Sequence, residues 1–471
     1  MTLTREALAN QIADDLATRN ANSGLIEGGF ETLEADVTTP GSVLKSINDN
    51  AEDATFTPVG DLDAVTIGGA LGELDSEKAN TDDIVDDFIG GLGKIASAND
   101  TKELYELIDT RVYGLDINET TGANTRLLDA VGMTIGAPDG TVAITSSFDS
   151  VYPWSEMKHV KVSVAGVKIL QTDVGYDAFD GELMTRIPEF WYKDYRSGGH
   201  RYLYISRKKR LGFKQKAEQL IASMPASKVG TEFRSRVGEA PQTNISYTNF
   251  ITGMYAQGDN KWSMYDSNVQ HSLFLLSVIE GGSLNHKGMY GQGINADTEK
   301  RPVTVEQFNT MGDGSGYILV RGAENKSNVC YRGIWDLWGN VWQFNAGFMR
   351  YDGQYYGCAD ITKYNVTDPR GADGWSDLGI GDYAANGYQQ IREGVEVEGG
   401  MIDVPILWGA VAGSVTFYSA YLYNFTDAYT GARVLFLGGS WHYGGNVSLV
   451  SSNGYYSPSV ASVDVGSRLI R

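Results

Sequence analysis

Acidic and aromatic residues are separated along this chain, and that separation limits where a core can form. Residues 1–120 hold 25 Asp and Glu against 7 Lys and Arg, but only five of the 52 Phe, Trp and Tyr residues. Residues 121–471 hold the other 47 aromatic residues and are almost neutral, with 34 acidic and 31 basic side chains. A chain of 471 residues is too long for one ordinary core, so we expect two or three domains. The pattern predicts an acidic stalk or adaptor joined to an aromatic, glycine-rich globular head.

Composition also excludes several classes of protein. A net charge of −21 argues against binding nucleic acid or an anionic membrane surface through bulk electrostatics. No run reaches the roughly 18 apolar residues of a membrane span, so we expect no membrane insertion. The first residues lack the basic and apolar regions of a secretion signal, which predicts folding in a reducing cytoplasm. Two cysteines, Cys330 and Cys358, are too few for a disulfide framework; they are buried thiols, one bridge, or a reactive pair.

The N-terminal third contains short helical patterns. Apolar residues recur every three or four positions over residues 3–19 and again over residues 82–112. Helices of this length are marginal alone in water, so a bundle or short trimeric coiled coil is expected to order them. We assign residues 81–150 to a helical stalk and neck.

From residue 151 the pattern changes to short strands separated by Gly, Asn, Asp and Ser turns, which indicates an α+β head over residues 151–471. Helices are expected near residues 214–223 and 305–311. The alternation in Met-Thr-Arg-Ile-Pro-Glu-Phe-Trp-Tyr-Lys at residues 184–193 predicts a strand with Ile187 and aromatic positions facing inward.

Two C-terminal signatures carry a family resemblance. One is Gly-Ile-Trp-Asp-Leu-Trp-Gly-Asn-Val-Trp at residues 333–342; the other is Gly-Gly-Ser-Trp at 438–441 followed by Gly-Ser-Arg-Leu-Ile-Arg at 466–471. With the strand at 184–193, they resemble the C-type-lectin-like fold of formylglycine-generating enzymes and of the variable proteins of diversity-generating retroelements. The resemblance implies a structural scaffold made of seven residues: Trp335, Trp338, Asn340, Trp342, Gly439, Trp441 and Arg468. The family usually has Phe where this chain has Ser467.

The segment between the last two motifs is rich in Ser, Asn, Tyr and Gly. Antibody paratopes share this mixture, because Tyr gives large contact area at low entropic cost and Ser and Asn give adaptable hydrogen bonds. An ordinary β-rich surface loop has a similar composition. In the resembling proteins the variable residues occupy this interval, which by position assigns receptor binding to nine residues: His442, Tyr443, Asn446, Ser448, Ser451, Asn453, Tyr455, Tyr456 and Ser459.

An enzyme of the same fold would need residues that this sequence does not supply. Formylglycine-generating enzymes use a C-terminal cysteine pair, and no cysteine follows Gly438; the five histidines are scattered and show no metal-ligand spacing. We therefore expect a protein that is not an enzyme and has no catalytic residues or cofactor. An oxygen-rich loop at residues 368–382 could hold a structural Ca²⁺ or be a solvated acidic loop. The basic run at residues 207–210 could contact an anionic glycan or be a solvated turn.

The N-terminal residues, with their Thr-Pro segments and the Leu-Asp-Ser-Glu-Lys sequence that ends at residue 78, resemble phage tail fibres. The two resemblances together imply a homotrimeric phage tail fibre in the virion tail. Residues 1–80 would dock on tail or baseplate proteins, and the lectin-like head would bind a host cell-surface glycan or protein. The alternative is a retroelement-type or prophage-encoded surface display protein outside a virion; a formylglycine-generating-enzyme-like oxidoreductase is a third, disfavoured class.

Overall fold

The computed structural model describes most of the chain from residue 110 onward. The described ranges are 110–119, 121–136, 143–258, 261–310, 317–318, 328–381, 387–389, 392–397, 400–405, 422–424, 430–444, 447–454 and 456–471. The attachment segment expected at residues 1–80 and the helical pattern at residues 82–109 lie outside them. Residues 111–471 form one compact unit.

Strands dominate the described residues and helices are few, so the fold is mainly β within the α+β class. The strands, in chain order, are β1 (Val112–Asn118), β2 (Asn124–Leu128), β3 (Ala143–Ile144), β4 (Lys158–Val162), β5 (Lys168–Leu170), β6 (Glu182–Ile187), β7 (Phe190–Ser197), β8 (His200–Ser206), β9 (Lys214–Lys216), β10 (Gln219–Ala222), β11 (Ser227–Val229), β12 (Glu232–Arg234), β13 (Ser263–Met264), β14 (Tyr317–Ile318), β15 (Cys330–Tyr331), β16 (Ile334–Trp335), β17 (Trp342–Tyr351), β18 (Gln354–Gly357), β19 (Ser376–Gly381), β20 (Gly387–Gln389), β21 (Arg392–Val397), β22 (Gly400–Pro405), β23 (Leu422–Asn424), β24 (Ala432–Gly438), β25 (Ser448–Asn453), β26 (Val465–Gly466) and β27 (Leu469–Ile470). The α-helices are α1 (Tyr247–Tyr255), α2 (Ser267–Gly281), α3 (His286–Tyr290) and α4 (Val305–Thr310). Short 3₁₀ turns cover Ser147–Ser150, Trp154–Glu156 and Ile361–Lys363.

Three larger sheets organise the unit. The first has the strand order β2-β1-β8-β7-β9, and the second has the order β13-β27-β10-β6-β4-β5. The third runs β19-β18-β17-β24-β25-β23-β20, with β26 parallel to the start of β17. Short two-stranded pairs join β3 to β14, β11 to β12, β15 to β16 and β21 to β22. The last strand, β27, lies between β13 and β10, so the C-terminal residues are built into a sheet formed by residues far earlier in the chain.

The first sheet includes residues that sequence analysis places in the neck. Strand β1 pairs antiparallel with β8 along its whole length, from Val112 opposite Ser206 to Asn118 opposite His200. Tyr113, Leu115 and Ile117 on β1 are buried in the same core cluster as Leu203 and Ile205 on β8. Residues 112–128 are therefore part of the compact unit that carries the rest of the sheet.

Two well-capped helices pack among the sheets. The Ser246 hydroxyl accepts a hydrogen bond from Asn249 N at the start of α1, and the Asp266 carboxylate accepts one from Val269 N at the start of α2. Gly282 ends α2 in the left-handed conformation, at φ 64°, which glycine adopts without strain. Almost every side chain of α2 is buried, so this helix lies inside the core. It has no polar face, and a helix without amphipathic periodicity is hard to recognise in sequence.

Two of the local predictions are corrected and one is confirmed. The helix expected at residues 214–223 is wrong: strands β9 and β10 occupy that stretch, because Gln219–Ala222 is buried between β6 and β27 and the sheet overrides the helix propensity of its residues. The helix near residue 305 is confirmed as α4. The strand expected at residues 184–193 is broken at Pro188, which cannot donate to a ladder, so β6 and β7 enter different sheets. Ile187 on β6 is buried, as expected.

Candidate functional site

The two C-terminal signatures meet in space. Gly339 N donates to Gly438 O at 3.1 Å, and Trp441 N donates to Asn340 O at 3.0 Å. These bonds join the turn after β16 to the end of β24. Gly438 is at φ 94°, and a Cβ there would stand 2.8 Å from Leu337 O, so only glycine allows this approach.

The first signature forms a strained turn that its own side chains hold. Asp336 and Asn340 both adopt positive φ, at 54° and 59°. Asn340 Nδ2 donates to Asp336 Oδ2 and to Arg301 O, each at 2.8 Å, while its Oδ1 accepts from Arg301 N. Asn328 Nδ2 and Val329 N also donate to the Asp336 carboxylate. Asparagine and aspartate tolerate the left-handed region better than other residues, which explains these residue types at these positions.

Arg468 ties this turn to the second sheet, and we call Arg468 with its acceptors the Arg468 hub. Its guanidinium is fully buried and donates to the carbonyl oxygens of Ala222, Trp335 and Asp336 and to the Gln343 side chain. Burial lowers the pKa of Arg468 to about 10, and the Asp336 carboxylate opposes that change. Burial likewise raises the pKa of Asp336 to about 6, against the N–H donors that face its carboxylate.

The other residues assigned to the scaffold are mostly buried as well. Trp335, Trp338 and Trp342 are buried, and Trp338 Nε1 donates to Gly291 O at 3.0 Å. Gly439 adopts φ 86° against Val447. Trp441 is only half-buried, although its backbone is held by Asn340 and by Asp297, whose N–H donates to Trp441 O. Ser467, where the family usually has Phe, is buried and donates to Phe344 O at 3.3 Å.

An aromatic cluster packs against Trp342 of this scaffold. The Trp342 ring contacts Phe436 edge-on at 5.2 Å between ring centroids and Tyr443 edge-on at 4.9 Å. Phe436 in turn stacks with Tyr456 at 5.3 Å. Tyr443 and Tyr456 are both half-buried and pack against the core. We call Tyr443 and Tyr456, with the neighbouring His442, the hairpin surface.

His442 is the most exposed member of the hairpin surface, with 51% of its side chain accessible. Its Nδ1 lies 3.4 Å from Ser440 Oγ, and its Nε2 lies 3.9 Å from Asp464 Oδ2. Ser440 Oγ also donates to the Asp464 carboxylate. The imidazole is thus placed by a buried serine and a carboxylate and can offer a hydrogen bond to a ligand.

The other residues assigned to receptor binding differ in their exposure. Ser448, Ser451 and Asn453 are buried on β25, and the hydroxyl groups of the two serines lie 3.3 Å apart. Ser459 is exposed further along the loop, where its hydroxyl lies 3.1 Å from that of Ser457. Asn446 and Tyr455 lie outside the described residues. Of the nine assigned residues, the structure therefore brings His442, Tyr443 and Tyr456 together at an accessible surface.

Sequence reasoning missed two residues that position this surface. Phe436 links the two tyrosines through stacking and edge contacts, and Asp464 faces His442. Phe436 is one of many apolar residues on a buried strand, so nothing local distinguishes it. Asp464 directly precedes the Val-Gly-Ser-Arg sequence at 465–468, and that proximity to a motif was its only signal.

The acidic and thiol side chains of the described ranges show how the expected metal and cysteine chemistry is placed. Among their His, Cys, Asp and Glu side chains, no group of three or more is placed to hold a metal ion. In the acidic loop, Asp368 pairs with Arg370 and Asp373 pairs with Lys363. Cys330 and Cys358 are both buried and are not joined by a disulfide; burial raises the pKa of the Cys358 thiol to about 11, which disfavours a reactive thiolate. No helix in the described part of the chain is long and apolar enough to cross a bilayer.

Comparison with known proteins adds no assignment. No protein-family model matches the chain, and no curated protein matches it.

Proposed function

We propose that this chain is the receptor-binding protein of a phage tail fibre, and that its head has a C-type-lectin-like fold. The observation that carries the proposal is the hairpin surface. Tyr443 and Tyr456 are held in fixed orientations by Trp342 and Phe436, with the exposed His442 beside them. Rigid, half-exposed tyrosines lose little conformational entropy when they bind, which is the physical basis of many recognition surfaces.

The arrangement of the chain supports the lectin-like interpretation. Strand β27 lies beside β10, so the last residues pair with a strand that precedes α1 and α2. The two helices come next in the chain, and β17 and β24 then carry the aromatic support of the hairpin surface. The two signatures on which the resemblance rests are joined by backbone hydrogen bonds, one from Gly339 to Gly438 and one from Trp441 to Asn340.

Attachment by such a surface would work through several weak contacts at once. A trimer presents three copies of the hairpin surface, and linked copies bind with a raised effective concentration. Residues 1–80 would dock the fibre on the tail, and no covalent chemistry is required. The host receptor would be a surface glycan or protein that forms a hydrogen bond with His442 and packs against the tyrosine rings.

Competition for phage attachment tests this proposal. The full chain is incubated with a panel of bacterial strains, and adsorption of the phage that carries the protein is then counted. We expect the parent chain to block adsorption on its host and a variant with His442→Ala, Tyr443→Ala and Tyr456→Ala to lose this block. Tyr176→Ala, at another half-buried tyrosine, is the matched control and should block as the parent does.

Each outcome has a defined meaning, provided that thermal unfolding shows all three proteins to be folded. Equal blocking by the parent and the triple variant would place the receptor site elsewhere on the head. Binding to cells without any effect on phage adsorption would favour the surface display alternative. If the parent binds no strain of the panel that the phage infects, the receptor-binding proposal is wrong.

A further inference from the structure

The outer face of the first sheet is aromatic where a solvent-facing sheet is normally polar. On β8 the residues Arg201, Leu203 and Ile205 are buried, while His200, Tyr202 and Tyr204 alternate with them and are half-exposed. The ladder register places Tyr195 on β7 opposite Tyr202, so it belongs to the same outer face. Tyr195 is 40% exposed. We call His200, Tyr202, Tyr195 and Tyr204 the tyrosine row.

The rings of the tyrosine row stand nearly parallel to one another. Tyr195 and Tyr202 lie 5.1 Å apart with an interplanar angle of 24°, and Tyr195 and Tyr204 lie 6.3 Å apart at 15°. His200 continues the row beside Tyr202, at 5.9 Å and 15°. The imidazole is fixed by Asp116, whose Oδ1 lies 2.6 Å from His200 Nδ1. The rings are therefore nearly parallel and offset from one another.

Positive charge borders this row. Residues 193–216 contain nine Lys and Arg and one acidic residue, Asp194. Arg201 and Lys216 are buried and Arg196 pairs with Glu119, so the other six basic residues border the row, while Asp116 on β1 lies opposite Tyr202. Asp194 is itself buried in an ion pair with Arg201, on the core side of the sheet. Lys193 Nζ lies 5.3 Å from the Tyr195 ring centroid, which is a cation–π distance.

The loop between β8 and β9 brings further basic side chains to one end of the row. Phe213 in this loop contacts the Tyr204 ring at 6.4 Å. Arg210 Nε donates to Ser206 Oγ, and Ser206 lies two residues beyond Tyr204 on β8. Lys209 is exposed in the same loop. The basic run at residues 207–210 is therefore next to the tyrosine row.

We propose that the tyrosine row and its bordering cations bind an acidic polysaccharide, one whose sugar units carry carboxylates. The tyrosine hydroxyls suit a polyhydroxylated ligand, since a hydroxyl can hydrogen-bond to sugar hydroxyls. The exposed part of the Tyr195 ring packs against sugar C–H groups, and Lys193 with the basic loop neutralises the carboxylates. This surface is separate in sequence from the hairpin surface and does not depend on the proposed function.

Charge alone would suit single-stranded nucleic acid equally well, but ring exposure does not. Binding of single strands relies on successive bases that stack on open aromatic faces. Of the four rings of the tyrosine row, Tyr195 is exposed and the other three are half-buried, so the row offers no run of open faces. The exposure of the rings thus favours sugar hydroxyls over bases.

Binding of defined polysaccharides to the full chain tests the proposal. Polygalacturonate and alginate supply carboxylate-bearing sugars, and methyl-esterified polygalacturonate supplies the same sugar without the charge. An oligothymidylate tests nucleic acid. We expect the two acidic polymers to bind, with an affinity that falls as salt rises, and the esterified polymer to bind roughly tenfold more weakly or worse.

Paired variants locate the site. Lys193→Gln with Tyr195→Ser should weaken binding of the acidic polymers by about tenfold or more, because one charge contact and one aromatic contact are lost. Lys228→Gln, at an exposed lysine on β11, removes the same charge elsewhere and should have no effect. Tyr195→Phe should retain part of the affinity, which separates the ring from the hydroxyl.

Three results would overturn the proposal. They are the absence of binding to both acidic polymers by the folded parent, equal binding by the paired variant and the Lys228→Gln control, and tighter binding of the oligothymidylate than of either polysaccharide.

Discussion

The Arg468 hub and the hairpin surface are built from the same C-terminal stretch of chain, yet they are opposite in chemistry. In the hub a fully buried guanidinium donates to three carbonyl groups and one side-chain oxygen. In the hairpin surface, half-buried tyrosine rings rest on Trp342 and Phe436 beside the exposed His442. The hub can hardly change without leaving buried polar groups unsatisfied, whereas His442 can change at little structural cost. This difference allows recognition to vary on a fixed support.

Removing the guanidinium is expected to give the largest effect. Arg468→Ala leaves four buried acceptors without their donor and should lower the free energy of unfolding by about 3–5 kcal/mol. Urea unfolding measures this change. Arg471→Ala is the matched control, since that guanidinium is half-exposed over the Trp262 ring, and it should cost about 1 kcal/mol or less. Equal costs for the two substitutions would show that Arg468 is not a hub.

The hub should also give stability a dependence on pH. Because the folded-state pKa of Asp336 is about 6, the folded chain keeps a proton on this carboxyl that the unfolded chain loses near pH 4. The contribution of this site to the free energy of unfolding is therefore greatest in acid and falls by about 2–3 kcal/mol as the pH rises through 6.

Asp336→Asn isolates that contribution, because the variant cannot titrate. The difference in free energy of unfolding between parent and variant should be larger at about pH 4.5 than at about pH 7.5. A constant difference would mean that the donors to the carboxylate offset the effect of burial, and a difference that grows towards neutral pH would mean that they outweigh it.

The serine beside the hub tests how closely this chain follows the resembling family. Ser467→Phe introduces the residue that the family usually has into a fully packed position, and overpacking should cost about 1–3 kcal/mol in urea unfolding. Ser467→Ala loses only the bond to Phe344 O and should cost about 1 kcal/mol. A stabilising Ser467→Phe would indicate that the core retains space for the ring.

Within the hairpin surface, the exposed His442 should show the smallest effect on stability. His442→Ala removes a side chain that is half accessible and should change the free energy of unfolding by about 0.5 kcal/mol or less. Tyr443→Ala loses the contact with Trp342 and should cost more, about 1–3 kcal/mol. Thermal unfolding ranks the two substitutions, and a larger cost for His442→Ala would contradict the assigned exposure.

Parts of this arrangement could be read from sequence because they depend on local chemistry. Asn340 and Gly439 lie at backbone positions with positive φ, and the resemblance implied a scaffold role for both. Burial of Ser448 and Ser451 could not be predicted, because alternation along a Ser-rich strand has no apolar face to orient it. Helix α2 was missed for a related reason, since it is buried on all sides. The pairing of β27 with β10 places Ile470 opposite Ile221. No local sequence pattern encodes a contact between residues so far apart in the chain.

Recognition and structural support are separable in this chain. Cell binding by the His442→Ala protein is the measurement that tests this separation. Labelled parent and variant are titrated onto the bacterial strain that the parent binds, with urea midpoints measured for both. The account predicts clearly weaker binding by the variant at an unchanged midpoint. Binding equal to that of the parent would contradict it.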